Sequence, residues 1–191
     1  MTGITTELTG AKNVLLEEPP IGQGRDVCTS LLLGEASEPN VLFVSFTRQA
    51  AACVDQVTAE QVGDVGVITV GDASGAVEDD SVRTESVSTP SDLTGLGIKI
   101  GQFLSTWEPP IHICFESLTS MLQYVDYQTA YQFLHSVTGQ IHAADATAHF
   151  HIDPDAHEDK VVAGITSLFD GRVTIGDDES EVQTRKLLAG Q

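Results

Sequence analysis

Positive charge is scarce in this chain. Lysine and arginine together number 9 against 28 aspartates and glutamates in 191 residues, a net charge of −19 at neutral pH. Arg25, Arg48 and Arg83 stand alone, and Arg185–Lys186 is a single pair. Phosphate backbones are gripped by clustered lysines and arginines, so no nucleic-acid partner is expected. Cysteine is sparse too. Cys28, Cys53 and Cys114 lack C-x-x-C spacing and sit within apolar helix or strand patterns, which predicts buried, reduced thiols, Cys114 as inert core, and a cytoplasmic chain. Long apolar runs are missing, and none approaches the roughly 18 residues of a membrane helix. Met1–Glu7 has neither the basic nor the apolar region of an export signal. The expectation is a chain that neither crosses a membrane nor is exported.

What is present is an ordinary apolar share of 41%, enough to bury a core on both faces of a sheet in one domain spanning 1–191. The acidity is dispersed along the whole chain rather than gathered in a tail. A surface for a basic partner is one reading. Dispersal favours the other, a protein of a salt-accumulating halophile whose carboxylates hold water in molar salt.

Along the chain, apolar segments alternate between strand and helix patterns. Asn13 to Leu16 reads as a strand, and a helix carrying Val27, Leu31 and Leu32 runs to Leu33, where Gly34 stops it. Asn40 to Phe46 is a second, doubly buried strand. Thr47 is placed to cap a short helix with Ala50, Cys53, Val54 and Val57 inward. Val65 to Val70 is a third strand. The polar stretch from Asp72 to Thr89 is either a loop or holds an edge strand at Val82 to Val87. Leu93, Leu96, Ile100, Phe103 and Trp107 repeat at helical steps behind a Ser91 or Asp92 cap. Ile111 to Phe115 is the next strand, followed by a helix from Tyr127 to Ala143 capped by Asp126, with Tyr131, Leu134, Val137 and Ile141 inward. Thr147 to Ile152 is another strand, and Asp155 is placed to cap a helix with Val161, Val162, Ile165 and Leu168 inward. Gly171 to Ile175 and Val182 to Leu188 read as a closing antiparallel hairpin. This alternation predicts an α/β fold, a mostly parallel sheet with helices on both faces.

The stretch Pro19-Pro20-Ile21-Gly22-Gln23-Gly24-Arg25-Asp26 joins the first strand to the first long helix, the context of a phosphate-binding loop. Its second Gly is Gly24. Pro19 stands at the first Gly position, Arg25 at the Lys and Asp26 at the Ser/Thr. Asn-Val-Leu-Phe-Val-Ser-Phe (40–46) and Ile-His-Ile-Cys-Phe-Glu-Ser-Leu-Thr-Ser (111–120) follow in order. Together these resemble the Walker A loop, second strand and Walker B strand (hhhhDSLT) of RecA/KaiC-like P-loop ATPases. The likeness spans roughly residues 10 to 176 and looks closest to the short KaiC-like signal-transduction proteins of halophilic archaea. It implies a RecA-like fold, with Gly22, Gln23, Gly24, Arg25 and Asp26 as the nucleotide- or anion-binding loop.

The departures change the chemistry the resemblance implies. In the family the loop Lys meets the β/γ-phosphates and the hydroxyl ligates Mg²⁺. Arg25 is longer and planar, Pro19 offers no N–H, and Asp26 brings a like charge to the phosphates. Two such charges about 4 Å apart cost on the order of 4 kcal/mol at an intermediate effective dielectric. Glu116 replaces the Walker B Asp. Thr47 and Arg48 stand where acidic residues would polarise the attacking water; Arg48 is read as a solvent-exposed first-turn residue, with an anion contact or finger as the rarer alternative. The reading is a pseudo-ATPase, regulatory or signal-related, for which ATP/Mg binding is doubtful. Its partner is another protein, further copies of itself or an active RecA/KaiC-like paralogue. The alternative is a slow divergent NTPase holding metal through Asp26 and Glu116. A weaker one is a metal-dependent hydrolase at His149, His151 and Asp153, which strand alternation puts on one face. The commoner meaning of such histidines is a partly exposed strand end. Ser117 and Thr119 are placed to hydrogen-bond at a strand–helix junction.

Unscreened, a charge of this size repels itself. The melting temperature is expected to climb through a KCl series from dilute to molar; full stability in dilute buffer would contradict the halophile reading.

Overall fold

The computed structural model describes residues 2–19, 24–73, 77, 79, 81–176 and 180–184. In chain order its elements are α1 (Thr2–Glu7), β1 (Asn13–Glu17), α2 (Arg25–Leu33), β2 (Asn40–Ser45), α3 (Ala50–Val54), β3 (Val65–Val70), β4 (Val82–Val87), α4 (Leu93–Thr106), β5 (Ile111–Glu116), α5 (Leu118–Met121), α6 (Tyr127–Ala143), β6 (Thr147–Ile152), α7 (Asp159–Thr166), β7 (Gly171–Ile175) and β8 (Ser180–Thr184). The strands form one sheet in the order β4-β3-β2-β5-β6-β1-β7-β8, parallel except for the β7–β8 hairpin. The expected mostly parallel α/β fold is therefore what the chain adopts. The stretch left open between loop and strand contains the edge strand β4.

Alternation along the strands sends successive side chains to opposite faces. One face carries Leu15, Leu42, Val44, Ile113, Phe115, Ala148 and Phe150 under α4, α6 and α7. The other carries Val14, Leu16, Val41, Phe43, Val67 and Cys114 under α2 and α3. The periodic stripe of α4 lies where its spacing predicts, with Leu93, Leu96, Ile100 and Phe103 buried. Gly34 closes α2 at φ 56°, a conformation cheap only without a Cβ.

Several boundaries differ from expectation. Thr47 does not cap α3. The Ser45 hydroxyl instead accepts the Arg48 N–H at 2.8 Å and turns the chain before Gln49 opens the helix. Nor does Asp155 cap α7. Asp153 accepts the Asp155 N–H at 3.0 Å, a tight turn over Pro154–Ala156 follows, and Glu158 precedes the helix. The last strand begins earlier than expected, at Ser180, and is described as far as Thr184; 185–188 of the expected strand lie outside the described residues. In α6 the inward positions are Ala130, Phe133, Leu134, Val137 and Ile141, with Tyr131 only half-buried.

Phe150 on β6 is fully buried and packs on Phe115 and Phe169 at centroid distances of 5.2 and 5.0 Å. Phe150→Ala is expected to cost about 3–5 kcal/mol, read as a lower denaturant midpoint in molar KCl; a loss under about 1 kcal/mol would mean the core collapses onto the gap.

Candidate functional site

Parallel sheets collect ligands beyond the carboxyl ends of their strands. Here the segments following β1, β2, β5 and β6 surround one cleft of about 680 Å³. The Gly-rich segment connects β1 to α2, the order its sequence context predicts. Pro19 and Arg25 line the cleft; Gly22 and Gln23 lie outside the described residues. Gly24 is buried immediately before α2, and a Cβ there would run into the Glu18 carboxylate, so any larger residue would push that side chain out of its present position. Asp26, next to Arg25, is exposed and does not line the cleft. The structure therefore does not gather Asp26 and Glu116 around a common point.

Glu116 ends β5 and does face the cleft. Its partner is Arg48, whose Nη1 lies 3.3 Å from Glu116 Oε2 and donates to Gln56 Oε1 at 3.0 Å, while Nη2 reaches the Ala52 carbonyl. Both side chains are about three-quarters covered, at 26% and 24% exposure. Contrary to the exposed first-turn position expected for it, Arg48 folds back over the cleft. Burial pushes the Glu116 carboxyl above its usual range, and the Arg48 charge opposes that shift. Ser117 caps α5 by accepting the Ser120 N–H, and the Thr119 hydroxyl accepts the Asp153 N–H at 2.9 Å, so both work at strand–helix junctions as expected.

The cleft floor continues into a polar cluster, of which Cys28, Cys114 and His151 line the cavity. His112, Cys114 and Glu116 alternate along β5, and His149 and His151 along β6, in a register that sets Cys114 opposite His149. Alternation does bring the two histidines to one face, with ring centroids 5.2 Å apart. They are buried rather than partly exposed, and their neighbours are not Asp153, whose carboxylate caps its own turn. Cys28 comes down from α2 instead. His149 Nε2 lies 3.1 Å from Cys28 Sγ, Cys114 Sγ 3.5 Å from Cys28 Sγ, and His151 Nε2 3.4 Å from Cys114 Sγ. One donor atom from each of the four falls within 4.8 Å of every other. Cys28 and Cys114 are buried and unpaired by disulfide as expected, but they belong to a polar cluster and not to a purely apolar core.

The surroundings polarise this cluster. Cys28 is held well below an ordinary thiol, first by its bond with Cys114 and then by the nearby imidazoles, against burial. Cys114 is pushed up by the same bond and by burial. His151 reaches about 10: burial works against its charge, and bonds to Cys28 and to Glu18, 2.6 Å from Nδ1, outweigh it. Cys53 lies apart, raised to about 11 by burial. Sequence reasoning missed Cys28 and Cys114 because no local spacing joins them. The signal within reach was polar alternation, I-H-I-C-F-E against T-A-H-F-H-I, in two strands otherwise built for burial.

Strand order and the cleft at the strand ends define an α/β protein of RecA-like fold. Within that class the chain belongs to a family of unknown function, DUF7504, whose model matches residues 11–175. Two solved archaeal structures share the architecture. PH0250 from Pyrococcus horikoshii OT3 has a TM-score of 0.64 and 11% identity, covering 91% of this chain and 86% of that one. The flagellar accessory protein FlaH from Methanocaldococcus jannaschii has a TM-score of 0.56 and 12% identity, covering 91% and 78%. Identity so low speaks for the fold alone. No curated protein matches the sequence.

Arg48→Met or Glu116→Gln alone is expected to destabilise the fold by about 1–3 kcal/mol, since each leaves a half-buried polar partner unmatched. The double variant is expected to lose less than the sum of the two, measured as a double-mutant cycle by denaturation in molar KCl. Strict additivity would show that the ion pair is incidental.

Proposed function

We propose that this chain is a RecA/KaiC-like protein that has given up nucleotide hydrolysis and works as a regulatory, signal-related interaction module in a salt-rich cytoplasm. The observation that carries the reading is the Arg48–Glu116 ion pair. Glu116 is the carboxylate that the Walker B resemblance would assign to a magnesium ion, and an arginine already neutralises it. A divalent cation placed there would meet a guanidinium about 3 Å from its ligand, and like charges at such range repel by several kcal/mol at an intermediate dielectric. The donor set around the loop argues the same way. Arg25 stands for the lysine and the exposed Asp26 for the hydroxyl, while the Glu18 carboxylate lies against Gly24, at the helix start where a phosphate would need the positive end of the dipole. Neither Thr47 nor Arg48 can take a proton from water as a carboxylate does. The residues present therefore do not suit Mg-ATP.

One feature favours a residual role for the cleft. Among the described residues Arg25 is the one lysine or arginine without an ion-pair partner, and it lines the cavity. Weak binding of an anion there is compatible with a sensing function. The partner is another protein: RecA-like domains commonly pack side by side, which makes a second copy or an active paralogue the natural candidate.

The deciding experiment is calorimetric titration of ATP with Mg²⁺ in molar KCl, with phosphate release followed in parallel, on the unmutated chain and Arg25→Ala. No hydrolysis is expected from either, and any weak heat from the unmutated chain is expected to vanish in Arg25→Ala. Turnover that depends on Arg25 would restore the NTPase and end this reading.

A further inference from the structure

The strands β5 and β6 lie in the middle of a sheet covered on both faces, where side chains are expected to be apolar throughout. Cys28, Cys114, His149 and His151 are instead gathered there, 3%, 1%, 3% and 6% exposed. Nothing in the cleft chemistry above uses them as a set. We propose that these four side chains form a structural zinc site that ties α2 to β5 and β6.

The donor types come first. Two thiols and two imidazoles are the Cys₂His₂ set of tetrahedral zinc, and S₂N₂ coordination selects this ion over the hard cations that prefer oxygen. Geometry comes next. With zinc bonds of about 2.3 Å to sulfur and about 2.0–2.1 Å to nitrogen, the edges of a tetrahedron are about 3.3–3.8 Å. Three of the edges are 3.5 Å for sulfur to sulfur and 3.4 and 3.1 Å for sulfur to nitrogen, with all four donors inside 4.8 Å. Those three edges stand within about half an ångström of the tetrahedral values, and the other three lie under the 4.8 Å bound, so a modest contraction around an ion completes the polyhedron.

The shell around the donors is that of a metal centre. A ligating histidine ordinarily gives its other ring nitrogen to a carboxylate, which fixes the ring and its tautomer. His151 turns Nε2 toward Cys114 and holds Glu18 Oε1 at 2.6 Å with Nδ1. Gln56 Nε2 donates to Cys28 Sγ at 3.0 Å, a contact that suits a thiolate. Two thiolates cancel the charge of a zinc ion, so the loaded centre is neutral and its burial carries little desolvation penalty. Four protein donors leave no coordination position for water, which makes the site structural and not hydrolytic. This also separates it from a hydrolase at His149, His151 and Asp153, because Asp153 is engaged in its own turn.

The inference is independent of whether nucleotide binds, and none of its readouts involves nucleotide. Protein produced in zinc-supplemented medium and purified in molar KCl without chelator is analysed for zinc, iron, copper and nickel. One zinc per chain is expected, kept by Cys53→Ser and lost by Cys114→Ser. A Cys114 substitution also alters the core, so a second readout uses the unmutated chain. Chelator-stripped protein, folded by circular dichroism, is titrated with cobalt(II). The expected result is thiolate-to-cobalt charge-transfer absorption with intense visible bands of tetrahedral cobalt, saturating at one equivalent, displaced by zinc, and accompanied by a higher melting temperature. A folded chain that binds neither ion at micromolar concentration, a weak octahedral cobalt spectrum, another metal in place of zinc, a Cys28–Cys114 disulfide in the reduced preparation, or uptake that requires Cys53 would each overturn the site.

Discussion

The architecture turns on how a doubly covered parallel sheet buries polar side chains in its two middle strands. β5 and β6 send His112, Cys114, Glu116, His149 and His151 to the face under α2 and α3. Polar groups removed from water must find partners or cost several kcal/mol each. Every one of these finds one. His112 bonds the Leu32 carbonyl at 2.5 Å, Glu116 takes Arg48, His151 takes Glu18, and His149 and Cys114 meet Cys28. Among the described residues only the Asn13 side-chain oxygen is buried without a hydrogen bond.

That requirement shapes the cleft as well. Glu18 is drawn back over Gly24 by His151, and Arg48 is drawn in by Glu116, so the two charged residues nearest the loop and the strand ends are directed inward. Of only 9 lysines and arginines, Arg172 pairs with the buried Glu17, Arg48 with the partly buried Glu116, and Lys99 and Arg83 with the partly buried Glu85. The remaining acidity is left to the surface, where salt screens it. Interior polarity and exterior charge are thus handled separately: geometry satisfies the first and the solvent moderates the second.

Much of the fold was legible in the chain itself, and the exceptions are instructive. Strands β1 to β3 and β5 to β7 and helices α2, α4 and α6 announce themselves through apolar period, and their order alone implies the parallel sheet. The caps of α3 and α7 were misread at Thr47 and Asp155, because several short polar side chains stand near each helix start. Which of them captures the N–H depends on where the preceding strand releases the chain. Arg48 was misplaced for a different reason. A first-turn arginine is normally solvated, and only the approach of Glu116, 68 residues away, turns it inward.

The amino-acid order by itself determined the α/β class, the acidic character, the position of the Gly-rich turn and the fact that His149 and His151 share a face, because each of these is set by local period or composition. The company those histidines keep was decided by tertiary structure alone. Cys28 reaches them from a helix 121 residues earlier and Cys114 from a neighbouring strand, and parallel register, not spacing, brings donor atoms that far apart in sequence to within bonding range.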